Sequence, residues 1–284
     1  MDKGLSRSEW DEFSRTGLII REQVLDQHEI EELIQAIDRQ PAFAQWNAVE
    51  KDPRFADLID HEEHFWIIYD IFGEASKLTR SEYFRRDPGS IQRNRWHFDG
   101  PRNLTFQAYR ALLPFRVKVA YWLTDLTSEN MGNFTFIPGS HREDVFDGYH
   151  THEPYPEEVQ VIVPAGSMSI MWGGLWHRVA PNESEVVRKN VFLEYGPSWI
   201  VSGDHIGCDP EWLGTRTRRQ RILMRDYSSS PNDYIKIPKD DIPLVSLEDI
   251  KAREGMLPHT YGQEVPLHLR KFPTRAEIWA SHDG

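Results

Sequence analysis

His97 and Asp99 stand two positions apart in Arg95-Trp96-His97-Phe98-Asp99-Gly100, and a further histidine, His177, follows in Gly174-Leu175-Trp176-His177-Arg178. On an extended strand, residues i and i+2 project to one face, so His97 and Asp99 can reach one metal ion. Two imidazoles and one carboxylate on one face of an octahedron leave three positions open, an arrangement that suits Fe(II) with a bidentate cosubstrate and O₂. A lone His-x-Asp pair is common in surface loops. What gives it weight is a β-rich frame, His177 at the edge of another strand, and Arg188 eleven residues beyond His177.

The elements that must position these residues come in two textures. From Ser6 to Gln40 the chain reads as two helices around a short extended piece, Gly17-Leu18-Ile19-Ile20. Asp26 and Glu29 form a capping-box pattern, and Ile30, Leu33, Ile34 and Ile37 recur at helical spacing. Phe65, Ile68, Tyr69 and Phe72 predict a supporting helix that Gly73 ends. From Lys77 the texture becomes short β-prone runs between Pro, Gly, Asn and Asp: 78–84, 117–124, 133–137, 159–163, 167–171 and 189–195. Such spacing indicates a sandwich or barrel.

The stretches Phe13 to Ile20, Trp96-His97-Phe98-Asp99, Trp122 to Arg142 and Trp172 to Arg188 resemble the phytanoyl-CoA dioxygenase family of Fe(II)/2-oxoglutarate oxygenases. The likeness runs from about Ser8 to Pro197 and includes Thr127-Ser128-Glu129-Asn130-Met131-Gly132 and Ile137-Pro138-Gly139-Ser140-His141-Arg142. It implies a mainly β fold, a double-stranded β-helix or jelly-roll barrel of the cupin kind with supporting N-terminal helices. It makes His97, Asp99 and His177 the iron ligands and Arg188 the partner of the distal carboxylate of 2-oxoglutarate. A planar guanidinium suits that task, since it grips a carboxylate through two parallel hydrogen bonds. The expected reaction oxidises an aliphatic C–H bond of a small molecule with O₂ while 2-oxoglutarate becomes succinate and CO₂. Some relatives carry a small residue in place of the carboxylate ligand and halogenate; Asp99 leaves no such vacancy, so hydroxylation or a related oxidation is expected.

One position departs from the family. Val179 stands two residues after His177, where the family often has a hydroxyl that helps to bind the cosubstrate. That contact is expected either to be missing or to be supplied elsewhere, for example from Thr135, Tyr121 or Gln92. Trp96, Phe98, Trp176 and Trp199 are candidates to wall in substrate, the other place for each being the core. His141 follows the Pro138-Gly139 turn and reads as structural, and His150 and His152 read as solvent-facing or lining an entrance. The run Arg216, Arg218, Arg219, Arg221 and Arg225 reads as a solvated helix face over 215–225, or else as a site for an anionic substrate.

At 284 residues, with 39% hydrophobic and 27% charged residues, the chain is expected to form one domain. Residues 6–75 would give helical support, 77–200 the jelly-roll core and 201–284 an extension over it. The net charge of −12 opposes an extended nucleic-acid or anionic-membrane partner. The single cysteine, Cys208, allows no internal disulfide, and no apolar run approaches the ~20 residues of a membrane span, so a cytoplasmic setting is expected. Two further readings use the same residues: a jelly-roll binding module without chemistry, and a zinc hydrolase, which would have no need of Arg188.

Overall fold

The computed structural model describes residues 4–41, 44–73, 76–90, 95–99, 114–142, 152–198, 200, 208–224 and 244; Gln92, His150, Trp199 and Arg225 lie outside them. Ser6 opens helix α1 (Arg7–Thr16) with a reciprocal capping box, its hydroxyl accepting from the Glu9 backbone N–H while the Glu9 carboxylate accepts from the Ser6 N–H. Gly17, at φ 83°, ends the helix where a Cβ would meet Nδ1 of His141 at 2.6 Å and Leu175 at 2.7 Å. The chain then turns into strand β1 (Leu18–Arg21). The Asp26/Glu29 capping box predicted from sequence opens α2 (Gln27–Asp38), which buries Ile30, Leu33, Ala36 and Ile37.

Residues 44 to 57, unassigned from sequence, form strand β2 (Ala44–Trp46), a 3₁₀ turn (Ala48–Glu50) and α3 (Pro53–Asp57). Next come α4 (Glu62–Phe72), ended by Gly73, and strands β3 (Ser76–Arg86), β4 (Val117–Trp122), β5 (Phe134–Phe136), β6 (Val159–Gln160), β7 (Ser167–Trp172), β8 (His177–Val179) and β9 (Arg188–Pro197). Six strands pair antiparallel in the order β1-β7-β4-β9-β3-β2, and β6-β5-β8 form a smaller sheet.

Together they make a jelly roll. Leu18, Ala120, Trp122, Met171 and Phe192 of the large sheet share one buried cluster with Phe134 and Phe136 of the small sheet. The other face of the large sheet, with Val119, Tyr121, Ile170, Leu193 and Tyr195, packs on the N-terminal helices. Among the described residues the expected barrel is not closed: β5, β6 and β8 form no ladder with the large sheet, and isolated bridges such as His97 to His177 extend the pairing instead.

Within 215–225, where one helix was expected, α6 (Arg218–Leu223) forms with Thr217 as its cap, and a further short helix, α5 (Pro210–Gly214), precedes it. This segment docks on the helical layer, where Gln220 donates to the Ala56 carbonyl and to Asp60 and Arg219 pairs with Glu62 over the Phe65 ring. Ile222, Leu223 and Met224 join the buried cluster that the large sheet shares with those helices, and α6 contacts β3. No helix among the described residues is long and apolar enough to cross a membrane.

Candidate active site

His97 and His177 exchange both backbone hydrogen bonds, at 3.0 and 2.8 Å, which brings their rings to 4.3 Å between centroids. The extended backbone assumed for the His-x-Asp pair is thus a single bridge residue, His97, and Asp99 lies beyond it in a bend. Each imidazole leans back on its own chain: Nδ1 of His97 lies 2.8 Å from the Arg95 carbonyl, and Nδ1 of His177 lies 2.8 Å from the Leu175 carbonyl. A carbonyl can only accept, so both Nδ1 atoms carry the proton and both Nε2 atoms present a lone pair. One ligand atom from each of His97, Asp99 and His177 falls within 4.8 Å of the other two, the arrangement a single cation requires. Phe134 stacks on the His177 ring at 4.9 Å and holds it in place.

The charges around this trio set its protonation states. Burial, with His97 adding to it, pushes the His177 imidazole down to about 3, so it is neutral and able to ligate at neutral pH. Burial alone would raise the Asp99 carboxyl, but the Lys118 ammonium and the two imidazoles outweigh it and hold the group ionised. Lys118 donates directly to Asp99 Oδ2. Lys118 is buried too, and Asp99, Glu82 and Glu194 keep it charged. Arg80 reaches Asp99 Oδ1 at 3.9 Å and Glu82 at 3.2 Å, and burial lifts the Glu82 carboxyl to about 7.

At the far end of β9 the situation reverses. Arg188 is 3% exposed, and its Nε and Nη1 have no hydrogen-bond partner among the described residues. Arg86 lies directly across from it in the β3–β9 ladder, and burial together with that second guanidinium lowers Arg188 to about 9. A buried guanidinium beside a half-buried one favours a nearby anion. Gly132, at φ 75°, leaves them room, since a Cβ there would come within 2.9 Å of Arg86 Cδ and 3.5 Å of Arg188 Cδ.

A trio that could hold one cation and a buried arginine thus belong to one jelly roll. The model of the phytanoyl-CoA dioxygenase family matches residues 44–190, just over half of the chain. The chain belongs to that family. Among solved structures, iron-bound HygX from Streptomyces hygroscopicus superposes with a TM-score of 0.61 at 18% identity, over 70% of this chain and 90% of that one. HygX with nickel, 2-oxoglutarate and hygromycin B bound gives 0.60 at 18% identity over the same shares. SnoK, a non-haem alpha-ketoglutarate-dependent carbocyclase from nogalamycin biosynthesis, gives 0.55 at 19% identity over 69% and 85%. No curated protein matches the sequence.

As a phytanoyl-CoA dioxygenase family member the chain departs from several expectations about its remaining site residues. Tyr121 does not face the metal trio. It sits on the helical side of β4, where its hydroxyl lies 2.6 Å from His64 Nδ1 and 3.2 Å from His61 Nδ1. Thr135 pairs with Arg178 across β5 and β8 and so points away from Phe136 and His177, which share the opposite face. Trp96, Phe98 and Trp176 likewise alternate away from His97, Asp99 and His177 and form, with Ile137, a separate core cluster behind them. There the Trp96 indole donates to the Glu153 carbonyl and its ring covers Arg178 at 5.0 Å. None of these residues joins the trio.

The Ile137 to Arg142 motif is a clasp. Gly139 N–H donates to the Thr16 carbonyl, the Ser140 hydroxyl accepts from the Trp176 N–H next to the metal-facing His177, and His141 bonds the Ser14 carbonyl at 3.1 Å. Sequence reasoning did not single out Lys118, Arg80, Glu82 or Asn190. Lys118 carries a readable signal, a lysine inside the apolar run Val117 to Leu123.

Proposed function

We propose that this chain is an Fe(II)- and 2-oxoglutarate-dependent dioxygenase that oxidises an aliphatic C–H bond of a small molecule, with hydroxylation as the outcome. The observation that carries this reading is the trio of His97, Asp99 and His177, with both Nδ1–H groups tied to backbone carbonyls and both Nε2 lone pairs available to one cation. Three protein ligands of this kind suit an iron with open positions. Bound Fe(II) with 2-oxoglutarate supplies O₂ activation, converting the cosubstrate to succinate and CO₂ as the substrate is oxidised.

The protein's own contribution is binding, orientation and dryness. Arg188 would hold the far carboxylate of 2-oxoglutarate, the anion that its buried guanidinium lacks. Lys118 fixes the Asp99 carboxylate and keeps it ionised. Phe134 and Phe192 line the interior beside the trio with apolar surface that excludes water. Asp99 fills the position that a halogenase leaves for halide, which favours hydroxylation. HygX, solved with nickel, 2-oxoglutarate and hygromycin B together, supports the reading as a structural relative that accepts cosubstrate and small molecule at once.

The test is cosubstrate turnover. Aerobic protein with Fe(II) and 2-oxoglutarate is expected to release succinate slowly without substrate, in an iron-dependent way that is lost in His97→Ala. Iron-independent succinate, or ester hydrolysis supported by zinc with no succinate at all, would refute the reading.

A further inference from the structure

Asn190 stands on β9 two residues after Arg188 and two before Phe192, a member of the interior cluster, so all three project to one face. It is wholly buried, and neither its amide nitrogen nor its amide oxygen has a hydrogen-bond partner among the described residues. The ladder explains why. Directly across from Asn190 are Phe84 on one side and Trp122 on the other, and the Trp122 indole N–H is spent on Ser169 Oγ at 2.5 Å. A buried primary amide with no partner is destabilising, so its place in the core calls for a ligand.

The position names the ligand. Toward one end of the strand lies the Arg188 guanidinium. Toward the other lies Phe192, whose ring is 5.1 Å from the Lys118 Nζ that holds Asp99. Anything that spans from Arg188 to the metal trio passes over Asn190, which is about 6.6 Å nearer to the trio along the strand. Val179, on the His177 side of β8, offers no polar atom to the same space.

We infer that Asn190 is a cosubstrate-binding residue: its amide N–H donates to the far carboxylate of 2-oxoglutarate, on the metal-facing side of the Arg188 grip. The inference rests on the oxygenase reading above. It gives Asn190 the contact that sequence reasoning sought in Thr135, Tyr121 or Gln92.

The experiment is an anaerobic titration of the Fe(II)-loaded full chain, wild type against Asn190→Leu and Asn190→Ala, following the visible band of the chelated 2-oxo acid. Two probes are used: 2-oxoglutarate, and 2-oxopentanoate, which lacks the far carboxylate. Both variants are expected to need about tenfold more 2-oxoglutarate for half-saturation, the loss of one charge-assisted hydrogen bond. For 2-oxopentanoate they should match wild type, which a merely structural role would not predict. Thermal unfolding of metal-free Asn190→Leu should occur at or above the wild-type temperature, because an unsatisfied amide has been replaced by a carbon skeleton of similar shape. A band in wild type with unchanged 2-oxoglutarate demand in the variants, or an equal loss for both probes, would overturn this inference alone. No band in wild type would overturn the proposed function and this inference with it.

Discussion

The imidazole of His177 is braced by Leu175: its Nδ1–H donates to the Leu175 carbonyl at 2.8 Å, and the ring's other nitrogen lies 3.6 Å from the Asp99 carboxylate. One backbone hydrogen bond therefore settles both the tautomer and the direction in which the lone pair faces. His97 repeats the arrangement with Arg95.

Removing either imidazole should abolish metal retention. Outer contacts of metal ligands are commonly worth 10- to 100-fold in affinity, so loss of a ligand itself in His97→Ala or His177→Ala should cost roughly 100-fold or more. Anaerobic thermal unfolding with and without excess Fe(II) checks this. Wild type should be stabilised by the metal and lose that gain to a chelator, and neither variant should respond.

Arg188→Met should separate binding from stability. The guanidinium is buried without a described counterion, so an apolar side chain of similar length should leave the unliganded protein as stable as wild type or more so. Cosubstrate affinity should fall at least about tenfold, since hydrogen bonds to charged groups contribute roughly 1.5–3 kcal/mol each. A destabilised variant with normal 2-oxoglutarate binding would mean that Arg188 serves the core.

Tyr121→Phe should do the reverse. The Tyr195 hydroxyl donates to the Ile59 carbonyl at 2.7 Å, so it accepts from His64 Nε2–H at 2.8 Å; His64 Nδ1 then accepts from the Tyr121 hydroxyl. Burial holds the His64 imidazole neutral. Breaking this buried chain should cost about 1–3 kcal/mol in denaturant unfolding and leave the 2-oxoglutarate half-saturation unchanged.

His141 should make the fold sensitive to mild acid. Burial lowers its imidazole from an ordinary 6.5 to about 4, beneath the clasp that ties α1 to the His177 strand. Between those values the unfolded chain binds the proton and the folded chain does not. Its contribution is therefore complete above about pH 6.5 and is lost as pH falls toward 4, by on the order of 3 kcal/mol. Unfolding of wild type and His141→Gln at pH 7.5 and pH 5 checks the sign: wild type should lose more stability on acidification than the variant.

The convergence of His97, Asp99 and His177 was legible because ligand chemistry restricts residue type and spacing, and α1 and α2 were legible through their buried stripes and caps. The directions of Tyr121 and Thr135 were not. Every residue of β4 and β5 is buried, so neither strand shows the alternation of apolar and polar residues that would mark which face looks inward. The same blindness left Trp96, Phe98 and Trp176 open between substrate wall and core, and the bridge between His97 and His177 turns these rings into the core. Asn190 was missed for a related reason: an asparagine in a strand has no distinguishing pattern until its neighbours, Phe84 and Trp122, are seen to offer it nothing.

The most direct test of the account is an anaerobic titration of metal-free protein with Fe(II) and then 2-oxoglutarate, read by visible absorption. The account predicts a charge-transfer band that appears only when both are present and is absent in His177→Ala. Wild-type protein that binds Fe(II) yet shows no band at saturating 2-oxoglutarate, or a band that persists in His177→Ala, would contradict it.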